Sequence, residues 1–258
     1  ALEIIDEVFL TYIQVFLAVF TRCLGVVISV PAFGSRGIPA IVKAGIALFL
    51  AGVITPMIDI TAYNMTSQPW SYGITIISEL LLGLTLGYII NLFFVAVQMA
   101  GSFIDLPIGF RAANLVDPQW GYPVPLVGHF KYFAALALFF VFNGHHLIIQ
   151  SLAISFRVLP TVLFSSGGVG LIVNYFVKAF AMAFQISLPV VGAIFLTDCA
   201  FAMLARASPQ INVFLLGFTL KIIVGIAILA LAFPYFVQYS SGAIKGIYEN
   251  LILFLNSF

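Results

Sequence analysis

The chain has 258 residues, of which 63% are hydrophobic and 7% charged, with a formal net charge of +1. Soluble domains carry roughly 25% charged residues, so a chain of mean hydropathy +1.18 cannot cover a water-facing surface and reads as an integral membrane protein. The near-neutral balance excludes the basic footprint of a nucleic-acid binder and the polybasic tail of a lipid-surface binder.

A helix needs about 20 apolar residues to span a bilayer, and six stretches meet that requirement. The first covers residues 8 to 30, with Arg22 inside it. It follows Glu3, Asp6 and Glu7, an acidic start unlike a signal peptide; no soluble domain is expected at either end. Prolines 31 and 39, two glycines and Arg36 then break the chain before a second stretch, 40 to 60, led by Lys43 and weakened by Gly52 and Pro56. Residues 61 to 72 form a polar loop. The third stretch, 74 to 104, carries Glu79 near its start and a Gly83-x-x-x-Gly87 face. Small residues at that spacing allow close backbone approach, although loose packing of a glycine-rich helix is equally compatible.

Residues 105 to 128 are the longest interruption, with Asp105, Arg111, Asp117 and four prolines interleaved with Phe110, Trp120 and Tyr122. The segment is too irregular for a span and too apolar for a solvated linker, and long loops inside compact domains are usually functional or disordered. A fourth stretch, 130 to 155, contains Asn143-Gly-His145-His146. A breaker-rich connection precedes a long fifth stretch, 171 to 207, carrying Lys178, Pro189 and Asp198. The sixth, 213 to 237, carries Lys221, and the tail from 238 is amphipathic. Cys23 and Cys199 lie far apart in apolar context and read as small buried hydrophobes.

Charges at membrane depth are the strongest physical signal. Arg22, Glu79, Lys178, Asp198, Arg206 and Lys221 each lie in or at the edge of an apolar run. An ionisable group at the bilayer centre costs on the order of 3 kcal/mol even on the lenient insertion scale. Pairing, a water-filled pathway or enclosure by other subunits must offset that cost. The corner from Asp198 to Asn212 concentrates the problem: one helix ends near Pro209 and another begins, flanked by Arg206, Gln210 and Asn212. Lys and Arg are scattered singly, so the orientation signal is weak.

His145 and His146 are adjacent, so on a helix they point about 100° apart and cannot chelate one ion as i,i+4 pairs do. A polar cap at a helix kink, built with Asn143, is the better reading. No nucleophile–base set, HExxH or phosphate loop appears, so neither an enzyme nor a cofactor is expected.

Specific motifs then carry a resemblance. Phe142-Asn-Gly-His-His146, Ser155-Phe-Arg-Val-Leu-Pro160, Ala205-Arg-Ala-Ser-Pro-Gln-Ile-Asn212 and Gly217-Phe-Thr-Leu-Lys221 resemble the FliR/SctT family of export-apparatus membrane proteins, and its flagellar branch. Ala100-Gly-Ser-Phe-Ile-Asp105 and Val116-Asp-Pro118 match a further family stretch; Lys43 stands where the family pattern leads one to expect arginine. The resemblance implies an all-α polytopic membrane protein of long, kinked, tilted helices and helical hairpins. Residues 1–258 then form one export-gate domain, FliP-like to about 190 and FliQ-like from about 191. It implies assembly with FliP and FliQ, joined by FlhB and FlhA, in the bacterial inner membrane at the flagellar basal body. Unfolded secreted flagellar proteins are the transported substrate. The loop 105–122 corresponds to the family's plug, with Phe110, Arg111, Asn114, Leu115, Val116 and Asp117 as sealing and latching residues. Glu79, Lys178, Asp198, Arg206, Gln210, Asn212 and Lys221 are then interhelical or subunit contacts. The alternative is a stand-alone secondary transporter using the intramembrane charges, although transporters usually show internal repeats and none is visible.

Overall fold

The computed structural model describes residues 2–35, 37–58, 69–110, 125–159, 166–208 and 213–256. Among them all regular structure is helical: α1 (Leu2–Ser29), α2 (Pro31–Gly34), α3 (Ala40–Ile54), a 3-10 turn (Thr55–Met57), α4 (Pro69–Ile108), α5 (Leu126–Val141), α6 (Gly144–Val158), α7 (Ser166–Ala207), α8 (Val213–Leu231) and α9 (Phe233–Leu255). α1, α4 and α7 each contain a run long and apolar enough to cross a membrane, as does α3 together with its 3-10 turn (Ala40–Met57), and the pairs α5–α6 and α8–α9 qualify as broken spans, six in all among the described residues. The protein is an all-α polytopic membrane protein.

At two places the helix boundaries differ from the sequence expectation for a local reason. α4 runs on through Asp105 and Pro107 to Ile108. A proline in a last turn forfeits one backbone bond where the ladder is ending anyway, and Gly109 then leaves the helix at φ +95°, a conformation that suits glycine. The fourth stretch bends by 67° at Phe142–Asn143, where the sequence places a kink. The sixth divides at Ala232, with a 49° bend, because Pro234 fits the first turn of a new helix better than the interior of an old one.

Asn143 stands at φ 56°, ψ 31°, and its backbone carbonyl accepts the His146 amide at 3.0 Å; its side chain makes no cap hydrogen bond. Asparagine tolerates the left-handed region and β-branched residues do not. Asn143→Val is therefore expected to cost on the order of 1–2 kcal/mol and Asn143→Gly nothing, read as thermal unfolding in detergent. Equal melting temperatures for the two variants would contradict this account.

The chain divides into two compact units that interleave in sequence. The first comprises residues 1–92, 143–175 and 245–258. α1 packs there against α2, α3 and the 3-10 turn, with Val15, Val19, Cys23, Val26 and Val30 buried at three- and four-residue intervals. Apolar side chains gain little by leaving lipid for protein, so helix association depends on close van der Waals fit. Glycines provide it. A Cβ on Gly25 would stand 2.7 Å from the Leu80 carbonyl oxygen and the Leu84 nitrogen of α4. Gly83 abuts the Arg22 backbone, and Gly87 meets Val26 and Ser29. The Gly83/Gly87 face is thus a close-packing face. Lys43 ties the break after α1, its ammonium donating to the Gly34 carbonyl at 2.9 Å.

The second unit comprises residues 93–142 and 176–244. Its aromatic cluster includes Phe94 edge-on to Phe139 at 5.5 Å and to Tyr132 at 6.1 Å. α7 buries one stripe within it, Ala179, Ala183, Ile186, Val190 and Ile194. Cys23 is buried as expected; Cys199 is exposed, because it lies on the side of α7 away from that stripe.

A candidate gate: the pinned connection between α4 and α5

Residues 111–124 join α4 to α5, and both feet of this connection are fixed in the second unit. Helix starts leave backbone amides without intrahelical partners. At the start of α5 a carboxylate from another helix takes them: Asp105 Oδ1 accepts the Val127 amide at 3.0 Å and Oδ2 the Gly128 amide at 3.3 Å, all buried. A negative group at a helix N-terminus is favoured by hydrogen bonding and by the helix dipole. The carboxylate can reach because the backbones meet there. A Cβ on Gly101 would run into Gly128 and Val127 main-chain atoms.

Around this staple lies an apolar hub of Ile104, Ile108, Val127, Val190 and Ile194, with Phe110, Ile222 and Ile228 packed on it. Side chains from α4, α5, α7 and α8 therefore converge at the base of the connection. Gly109 turns against the Phe218 ring of α8, where an added Cβ would stand 2.8 Å from the nearest ring carbon. Of the six loop residues singled out in sequence, Phe110 is seated on the hub. Arg111, Asn114, Leu115, Val116 and Asp117 lie outside the described residues.

The charged residues separate into distinct settings. Glu79 pairs with Arg22 in the first unit, Nε to Oε2 at 2.5 Å, both side chains fully buried. Arg22 also donates from Nη1 to Ser155 Oγ at 3.1 Å and from Nη2 to the Leu159 carbonyl at 2.8 Å, and its guanidinium lies 4.1 Å from the Phe156 ring centre. One arginine thus joins α1, α4 and the last turn of α6. Among the described residues Glu79 Oε1 has no hydrogen-bond partner. In the second unit Asp198 of α7 pairs with Lys221 of α8, both partly exposed. The helix break beside that pair falls where the sequence places it, with α7 ending at Ala207. Arg206 and Lys178 are exposed on α7; Gln210 and Asn212 lie outside the described residues. The His145 and His146 rings lie with centres 4.4 Å apart and planes tilted by 49° at the start of α6, beside Asn143.

Sequence reasoning did not find the Arg22 partners, which lie 57 and 133 positions away, nor the capping role of Asp105. It also passed over Lys131, which sits buried on the inner face of α5. A lysine between Phe130 and Tyr132 at the start of an apolar run reads as a boundary, so position alone carried no warning.

Long apolar helices, a buried Arg22–Glu79 pair and a helix-to-helix connection whose ends are held by the Asp105 cap define an all-α polytopic membrane protein. Comparison with known proteins places it further. The profile described as bacterial export proteins, family 1, matches residues 13–247. The chain is 38% identical over 219 residues to the flagellar biosynthetic protein FliR of Bacillus subtilis (strain 168), covering 83% of this chain and 84% of that protein. It is 28% identical over 260 residues to FliR of Escherichia coli (strain K12), covering 97% and 96%, and 27% identical over 241 residues to FliR of Aquifex aeolicus (strain VF5), covering 93% of each. The chain belongs to this bacterial export protein family, to which the FliR proteins are its relatives.

Proposed function

We propose that the chain is a structural and gating subunit of the flagellar type III export channel in the bacterial inner membrane, with no chemistry of its own. In this reading residues 111–124 help to seal the pore until an unfolded secreted protein passes. FliP and FliQ homologues enclose the helices in one hetero-oligomer, with FlhB and FlhA beside it. The observation that carries the reading is the pinning of both feet of the connection, by the Asp105 staple and the Gly101–Gly128 contact, on an apolar hub. A sealing segment needs fixed ends.

Enclosure by partners is supported by helix length. α7 has 42 residues, about 63 Å of helix at 1.5 Å per residue, against a hydrocarbon core of about 30 Å. Even the upper tilts seen for membrane helices, about 40°, do not fit that length into one bilayer. Its apolar window is only 33% buried within the chain, which leaves an apolar face that other subunits could cover. The charges that motivate a stand-alone transporter are partly accounted for within the chain, Arg22 by Glu79 and Lys221 by Asp198.

Deleting residues 110–116 is expected to leave the complex assembled but to raise the ion conductance of membranes that contain it. Conductance equal to that of the parent complex, with the deleted chain present at normal stoichiometry, would overturn the sealing role.

A further inference from the structure

α7 exposes two chemistries along one stretch of its length. One side carries Val173, Val177, Phe180, Phe184 and Leu188 at three- and four-residue intervals, each between 44% and 64% exposed. The adjoining side carries Asn174, Lys178 and Gln185, four and seven residues apart and also exposed. The two sets interleave in sequence, so they stand at the same depth. From Val173 to Leu188 is about 22 Å of helix, most of a hydrocarbon core of about 30 Å.

In each unit taken by itself, α9 is tied to α7. In the second unit the Tyr239 hydroxyl donates to Gln185 Oε1; in the first, the Tyr175 hydroxyl donates to the Asn250 carbonyl at 2.8 Å. α9 buries Phe236, Ser240, Ile244, Ile247 and Leu251. Its opposite side exposes Gln238, Gly242, Lys245 and Glu249, again at three- and four-residue intervals. Between Tyr235 and Leu253 that side carries no exposed large apolar residue. An added Cβ on Gly242 would meet nothing within 4 Å among the described residues, so the middle of the stripe is open.

Lipid, another subunit or water could meet these polar sides. Lipid fits badly, because exposed lysine and glutamate at hydrocarbon depth are costly even on the lenient insertion scale. The core of a subunit interface fits badly too. Such cores are depleted in lysine and glutamate and are held by large aromatic or arginine anchors, and the α9 stripe has neither. Water solvates both charges with no further compensation.

We propose that the polar sides of α7 and α9 line a water-filled groove at membrane depth, while the Val173–Leu188 side of α7 is closed to water. The groove is separate from the sealing role of residues 111–124 and does not depend on it. Collision of nitroxide labels with a water-soluble nickel chelate and with oxygen distinguishes the three surroundings. The labels go on single cysteines in a Cys199→Ser chain, since Cys199 is exposed and Cys23 buried, with the purified assembly held in nanodiscs. Labels at Gln238→Cys, Gly242→Cys and Lys245→Cys are expected to meet the chelate several-fold more often than labels at Val177→Cys, Phe180→Cys and Phe184→Cys. Oxygen collisions that outweigh the chelate at the α9 positions would place them in lipid. Protection from both reagents would place them under another subunit. Either result overturns the groove. Lys245→Leu gives a second reading without a label. Recovery of the assembly and its denaturation midpoint are expected to stay at wild-type values, as for a solvated surface lysine. A loss of assembly would mark a subunit contact and a raised midpoint a lipid-facing site, and each would overturn the proposal.

Discussion

Replacing Arg22 by leucine is expected to cost the first unit about 3–5 kcal/mol, because it strands a buried carboxylate. The loss has several parts. Glu79 keeps its full burial but loses the only counter-charge it has among the described residues, where its Oε1 already lacks a partner. The Leu159 carbonyl at the end of α6 loses its donor, as does Ser155 Oγ, which still donates to the Leu152 carbonyl at 2.7 Å. The guanidinium carbon also lies 4.1 Å from the Phe156 ring centre, so leucine replaces only part of the contact. Glu79→Leu alone is expected to be comparably severe, since it leaves the guanidinium without its anion. The double variant Arg22→Leu with Glu79→Leu removes both desolvated charges and is expected to recover most of the stability, as replacement of buried ion pairs by apolar residues often does. Chain abundance in the membrane and the denaturation midpoint in detergent measure all three. Single variants as stable as the parent, or a double variant no better than either single, would show that the pair is not the joint between α1, α4 and α6.

That joint also marks how far the sequence could be read. Composition and run length suffice for an all-α membrane protein with six apolar passages, because the cost of burying charge and of leaving backbone unsatisfied in lipid acts on every residue. Helix ends at proline and glycine were readable where a single local rule decides, as at Ala207. They were misread at Asp105, where the tolerated Pro107 looks in sequence like a proline that breaks a helix, and at Ala232, where the break before Pro234 was read through. The Gly83/Gly87 face was recognisable as a possibility, but its partner, Gly25, was not, because neither spacing nor hydropathy says which helix approaches. The same holds for Arg22 with Ser155 and Leu159. A capping carboxylate that comes from 22 residues away has no local signature, since N-cap patterns are read from neighbouring residues.

The second large effect is expected at the base of the α4–α5 connection. Gly101→Val places a branched side chain where the added Cβ already meets the Gly128 and Val127 main chain. Overpacking usually costs 1–3 kcal/mol and occasionally more. Here the opposing atoms are backbone on a helix start, which cannot rotate aside, so the expected cost is about 3 kcal/mol. Separating α4 from α5 also draws the Asp105 carboxylate away from the Val127 and Gly128 amides, leaving two buried donors unbonded. Asp105→Ala removes the same cap without the clash and is expected to cost about 1–2 kcal/mol. Gly45→Ala and Gly52→Ala on α3 serve as controls, because an added Cβ at either site meets nothing within 4 Å. Under the gating proposal the two base variants should share a functional phenotype despite their different stability losses: assembled complexes whose membranes conduct ions at rest, with Gly101→Val the leakier. Asp105→Asn keeps one acceptor oxygen and should leak less than Asp105→Ala. If Asp105→Ala lowers the denaturation midpoint yet leaves resting conductance unchanged, the staple supports the fold of the second unit but does not hold the seal.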